Sequence, residues 1–163
     1  MATTEKRVAL ITGCGKENGI GAATALRLAR DGFIVAASDI AAAGVANDLT
    51  LAQSASSWQG LDTLVARIEE EKTMAKYGRL DVLVNNAGAP HGQDRGPIED
   101  VPLDAWEKTM GINARGVFLM IRAAVPHMKK AGYGRIVSLS SVAGLVALPE
   151  RAVYCASKAA VIG

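Results

Sequence analysis

The feature that most constrains this chain is a glycine-rich run set between a buried strand and a helix. Val8-Ala9-Leu10-Ile11, with Thr12, is apolar along its length, the pattern of a strand covered on both faces in a parallel sheet. It runs directly into Gly13-Cys14-Gly15-Lys16-Glu17-Asn18-Gly19-Ile20-Gly21. Ala22, Ala25, Leu26, Leu28 and Ala29 then share one helix face, which Asp31-Gly32 ends. Phe33 to Asp39 reads as a second strand. Strand, turn, helix and strand within about thirty residues make a βαβ unit, and its two strands must lie parallel.

The same grammar repeats. Asp81 to Gly88 is a buried strand with a turn at its carboxyl end. Leu103 to Ala131 reads as two helices meeting near Gly111. Arg135 to Ser141 is a further strand, and a helix starts at Ala152. Alternating strands and helices predict one α/β domain over residues 1–163, a doubly wound, Rossmann-like parallel sheet in three α/β/α layers. Ile40 to Gly78 breaks the pattern. Ser57 to Glu71 is amphipathic, with Leu61, Leu64, Val65 and Ile68 at helical spacing, and Lys72 to Tyr77 reads as a helix tail closing at Gly78. The only strand candidate there is Asp48 to Ala52, a poor one. Two readings stay open: a segment shortened near Glu71 and Lys72, or one helix from Ser57 to Tyr77.

Charge and cysteine content narrow the partners. A net charge of +2 and a calculated pI near 8.6 point to neither nucleic acid nor an anionic membrane. No apolar run is long enough to span a bilayer, and no signal-peptide core precedes the first strand. Cys14 and Cys155 have no metal-ligand spacing and suit a reducing, cytoplasmic setting. His91 and His127 are far apart and read as surface residues, so no metal is expected.

Between a strand and a helix, the glycine run reads as a dinucleotide-phosphate site. Glycines admit a pyrophosphate to the backbone, and the helix N-terminus offers amides and a positive dipole end. Lys16 is followed by Glu17, not Ser or Thr, which argues against a nucleoside-triphosphate loop. Asp39, eighteen residues after Gly21, suits the adenosine ribose hydroxyls and repels a 2′-phosphate, favouring NAD over NADP. Lys16 and Arg30 could soften that preference. Alternatively, the run is a tight turn and Asp39 a turn residue.

Tyr154 and Lys158 stand four apart, on one face of a helix, thirteen residues after Ser141. An ammonium beside a phenol favours the phenolate, so such a Tyr can exchange a proton with a carbonyl or alcohol oxygen. Alone, the pair is common on surface helices.

Together these residues resemble the short-chain dehydrogenase/reductase family. The resemblance rests on Thr12-Gly13 through Gly19-Ile20-Gly21, Asp39, Asn85-Asn86-Ala87-Gly88, Asn113 in Ile112-Asn113-Ala114, Ser141 in Ser140-Ser141-Val142-Ala143-Gly144, and Tyr154 with Lys158. It implies hydride transfer between NAD(H) and a secondary alcohol or its ketone. Tyr154 would be the acid/base, Lys158 would bind the nicotinamide ribose, Ser141 would hold the substrate oxygen, and Asn113 would support a water leading to Lys158. Gly13, Gly15, Asn18, Gly19, Ile20, Gly21, Asp39, Ile40, Asn86, Ala87 and Gly88 would line the cofactor site with Tyr154 and Lys158. The family also implies a homodimer or homotetramer, paired through the helices near Asn113 and Tyr154. There are departures. Two extra residues separate Gly13 from Gly19, the third strand is not found, and sequence expected after Gly163 is absent. Arg151, Val153 and the loop from Leu145 to Glu150 are the substrate-side residues left to read. The expectation is therefore part of a longer enzyme. A non-catalytic nucleotide-binding fragment is the alternative.

Overall fold

The computed structural model describes residues 6–39, 73–89 and 94–163. Strand β1 (Val8–Thr12) is buried at every position. Its neighbours explain why: β2 (Ile34–Ser38) pairs along one edge and β3 (Val82–Asn85) along the other, both parallel to it. β4 (Arg135–Ser138) adds parallel to β3, giving the order β2-β1-β3-β4.

Register sorts the side chains into two cores. Leu10 sits opposite Ala36 and Leu83, and all three join Leu119, Met120, Ala123, Ala124 and Met128 on one face. Ile11 sits opposite Ala37 and Val84, which pack with Ala25 and Leu28 on the other. The first face is covered by α4 (Gly116–Ala131), the second by α1 (Ile20–Arg30). Burying a Leu or Ile contributes about 1.5–3 kcal/mol. The period-2 alternation of β1 and β3 therefore fixes their register, since a one-residue slip would exchange the faces. At the amino ends of the strands, buried Asp81 accepts from the Val8 amide (2.7 Å) and from Arg79 (2.8 Å). Burial would raise its carboxyl pKa, but these hydrogen bonds together with the charges of Arg79 and Arg7 hold it lower.

Helix α2 (Thr73–Tyr77) ends at Gly78, whose φ of +68° stops helix propagation. α3 (Leu103–Met110) passes into α4 through a π turn at Gly111–Arg115. The expected junction near Gly111 is thus a change of helical pitch, with the backbone right-handed at both boundaries. α5 (Ala152–Ile162) closes the described chain. The segment Ser57–Glu71, the candidate strand Asp48–Ala52, the expected shortening near Glu71 and Lys72, and His91 lie outside the described residues. β4 ends at Ser138, not Ser141; the Leu139 amide still donates to the Asn85 carbonyl (2.9 Å), while the Leu139 carbonyl accepts from Lys158 of α5 and Ser140 Oγ donates to the Lys158 carbonyl.

Candidate active site

The crevice begins where β1 ends. Sheet connections diverge to either side of β1, the switch point at which open α/β sheets take ligands. Thr12 Oγ1 accepts from the amides of Asn86 (3.2 Å) and Ala87 (3.1 Å). Asn86 Nδ2 donates back to the carbonyls of Thr12 and Gly13, each at 2.9 Å. These bonds lock the carboxyl ends of β1 and β3 together. Gly13 has φ +73°, and a Cβ on Gly21 would strike the Gly13 carbonyl oxygen. Both glycines are therefore required for α1 to start so close to the β3 end.

The lengthened loop has a definite path. The Gly19 amide donates to the Lys16 carbonyl (2.8 Å), and the Gly15 amide donates to Asp39 Oδ2 (2.6 Å). A Cβ on Gly15 would lie 2.6 Å from the Asp39 carboxyl carbon. Glycine there lets the loop fold back onto Asp39. Gly19 caps α1 with no side-chain hydrogen bond, and no acidic residue stands in the first turn. The first amides and the positive dipole end thus face the crevice without a side-chain cap. Asn18 and Ile20 are exposed there. Ile40 lies outside the described residues. Cys14 is buried with its thiol on the Ile11 carbonyl, and burial, with a smaller contribution from Asp39, pushes its pKa up to about 11.

The other end of the crevice is built on α5. Lys158, 6% exposed, donates from Nζ to the Leu139 carbonyl (2.8 Å), and Ser140 Oγ donates to the Lys158 carbonyl (2.7 Å). Burial lowers the Lys158 pKa. Its Nζ lies 5.9 Å from the centre of the Tyr154 ring. Ser141 Oγ accepts from the Ala143 amide (3.2 Å) and caps a 3-10 turn at Val142–Gly144 packed against α5. A Cβ on Gly144 would fall 2.7 Å from the Lys158 carbonyl carbon.

Asn113 sits in the π turn, buried. Its Oδ1 accepts from the Ala89 amide (2.7 Å), and its Nδ2 donates to Ser157 Oγ (2.9 Å). Ser157 donates in turn to the Tyr154 carbonyl (2.8 Å). The widened turn thus braces the loop after β3 against α5. Gly88 lies between the two sets: a Cβ there would be 3.6 Å from Asn113 Oδ1 and 4.0 Å from Lys158 Nζ. Asp39, the glycine loop, Asn86 to Gly88 and Ser141 therefore follow the carboxyl ends of β2, β1, β3 and β4 in turn.

Sequence reasoning passed over Thr12 as a site residue, and over Ser140, Ser157 and Asp94. Thr12 follows an apolar strand and Ser157 precedes Lys158, but neither spacing names its partner. Arg151, read as one of the substrate-side residues, is buried, 3.3 Å from Asp94 and 4.4 Å over the Tyr154 ring. Among the described residues no cluster of three or more His, Cys, Asp or Glu could hold a metal.

A glycine loop at the switch point of a parallel sheet, with a Tyr–Lys helix at the far end of the crevice, defines a Rossmann-like dinucleotide-site fold. The chain belongs to the short chain dehydrogenase family, whose model matches residues 7–163. It is 39% identical to 2-(R)-hydroxypropyl-CoM dehydrogenase of Xanthobacter autotrophicus, over 96% of this chain and 64% of that protein. It is 37% identical to D-threitol dehydrogenase of Mycolicibacterium smegmatis, over 96% of this chain and 61% of that protein. Levodione reductase superimposes with a TM-score of 0.80 at 32% identity, over 96% of this chain and 62% of that one. NAD+-bound xylitol dehydrogenase superimposes with a TM-score of 0.75 at 30% identity, over 98% and 62%. The chain thus spans less than two thirds of the length of each of these relatives.

Proposed function

We propose that this protein exchanges hydride between NAD(H) and a secondary alcohol or its ketone, with Tyr154 carrying the proton. The observation that carries the reading is one packed unit at the end of the crevice: buried Lys158 on Leu139, Ser141 heading the turn against α5, and Tyr154 one helical turn before Lys158. The relatives named above as dehydrogenases and a reductase support it.

The residues fit a dinucleotide. The start of α1 lacks a side-chain cap, and glycines stand at each close approach of the loop, as a pyrophosphate requires. Gly13, Gly15, Asn18, Gly19, Ile20 and Gly21 would hold the phosphates. Asp39 and Ile40 would hold the adenosine, and Asn86, Ala87 and Gly88 the groove toward Lys158. When bound, the nicotinamide supplies the hydride donor or acceptor. The chain does the rest. Ser141 Oγ accepts from Ala143, so its own hydrogen is left for the substrate oxygen, which it orients. Tyr154 gives the proton to that oxygen in reduction and takes it in oxidation. Lys158, fixed by Leu139, keeps a positive charge beside the phenol and reaches the ribose. Asn113 holds α5 in place through Ser157 and supports a water toward Lys158.

Asp39 selects NAD(H), because its carboxylate opposes a 2′-phosphate. Free cysteines, Cys14 buried and Cys155 half-buried, suit a cytoplasmic setting. The protein is a homodimer or homotetramer that buries the exposed ring of Phe118 on α4.

The test is catalytic efficiency with NAD+ and with NADP+ over a panel of secondary alcohols, on the full-length protein. NAD+ should win with at least one alcohol. Asp39→Asn should narrow the gap while keeping an acceptor for the Gly15 amide. Equal efficiency with both cofactors would sink the cofactor assignment. No turnover of any alcohol or ketone, with NADH still bound, would favour a purely nucleotide-binding role.

A further inference from the structure

Arg151 stands where a cation is least at home. It occupies the N-cap of α5, after Glu150 in the left-handed region (φ +55°). A positive charge at a helix N-terminus runs against the dipole. The side chain is also buried, with Arg151 8% and Asp94 4% exposed. Taking such a pair out of water costs roughly what their attraction returns, so the pair is weak evidence for stability. It does supply geometry. Arg151 Nη2 lies 3.3 Å from Asp94 Oδ2, and the Gly96 amide donates to the Glu150 carbonyl (3.1 Å), clasping the Asp94 segment to the start of α5. The guanidinium carbon sits 4.4 Å above the centre of the Tyr154 ring, within the roughly 6 Å reach of a cation–π contact.

We propose that Arg151, fixed by Asp94, is a positioning residue: its planar guanidinium is the plate on which the Tyr154 ring rests, setting where the phenol oxygen points. The phenol oxygen lies on the axis about which a Tyr ring flips, so the torsion that moves it is the Cα–Cβ one, with its three staggered wells, and a plate against the ring face selects among them. The Tyr154 carbonyl accepts from Ser157, which holds the backbone and leaves that torsion to the contacts made on the ring. A guanidinium stacks on an aromatic face as a rigid plane, which a Lys ammonium does not. The inference rests on the reading of Tyr154 as proton carrier.

The experiment compares Arg151→Met, Arg151→Lys, Tyr154→Phe and the double variant Asp94→Leu with Arg151→Met, all on full-length protein. Turnover, substrate KM, NADH affinity and melting temperature are read for each. Arg151→Met should lower kcat by about ten- to a hundredfold, the range for a misplaced catalytic group. NADH affinity should hold within about twofold, as expected when only transition-state alignment is lost. Arg151→Lys should not restore kcat. The double variant exchanges the pair for apolar side chains, which buried pairs often tolerate. It should melt near the parent and still lose kcat, separating positioning from folding. Parental kcat in either folded Met variant overturns the proposal. So does a rise in substrate KM with kcat unchanged, which would place Arg151 on the substrate. If Tyr154→Phe itself turns over normally, the parent reading of Tyr154 fails instead.

Discussion

Lys158 shows at the scale of one residue how the site and the fold make opposing demands. The proposed mechanism wants its ammonium beside Tyr154, yet burial disfavours its charge and lowers its pKa below 10.5. For a base this means the native state binds protons less well than the unfolded chain, so stability rises with pH between the lowered value and 10.5. Below that window the charge cost is fully present. Lys158→Met, which does not titrate, should therefore lose turnover, and its stability relative to the parent should be most favourable near neutral pH. The melting-temperature difference, parent minus variant, should grow in the parent's favour as pH climbs toward 10.5. A difference flat with pH would contradict a buried, charge-penalised Lys158. Its position was legible in the sequence because four residues on a helix is a local spacing. Its burial, and its bond to Leu139, were not legible. They depend on how β4 meets α5, nineteen residues apart at that bond.

Elements repeat the lesson. β1, β2, β3 and β4 could be read from apolar runs, α1 from its periodicity and α5 from the four-residue spacing of Tyr154 and Lys158, because those signals are internal to each element. The junction of α3 and α4 was legible near Gly111, but the π turn was not, since no residue pattern distinguishes it from ordinary helix. The Asp39 clamp on Gly15, the Thr12–Asn86 bonds and the Arg151–Asp94 pair all join separate loops. A single sequence names such residues without pairing them. α4 carries the element-scale prediction. Met120 and Ala124 face the core, Val117, Ile121 and Val125 are half-buried, and Phe118 is 61% exposed. An exposed aromatic beside half-buried Val117 and Ile121 suits a second copy. Light scattering at micromolar concentration should give a dimer or tetramer for the full-length protein, and Phe118→Lys should shift it toward monomer. A monomeric parent would remove the proposed assembly.

At the scale of the whole molecule, the carboxyl ends of four parallel strands lie side by side, with the residues proposed to hold the cofactor following β2, β1 and β3 and those proposed to handle the proton following β4. The sheet is well covered through β3, while on β4 Ile136 and Val137 are exposed, Val137 at 51%. The chain spans 64% of its Xanthobacter relative. The central claim of the proposed function is that binding and chemistry are separable: the loop and Asp39 would bind the dinucleotide, and Tyr154 would move the proton. The direct measurement is NADH affinity beside turnover for the parent and Tyr154→Phe, which keeps the ring and removes the proton carrier. The account predicts turnover lower by at least about a hundredfold, with NADH affinity nearly unchanged. Normal turnover, or affinity and turnover falling together, would contradict it.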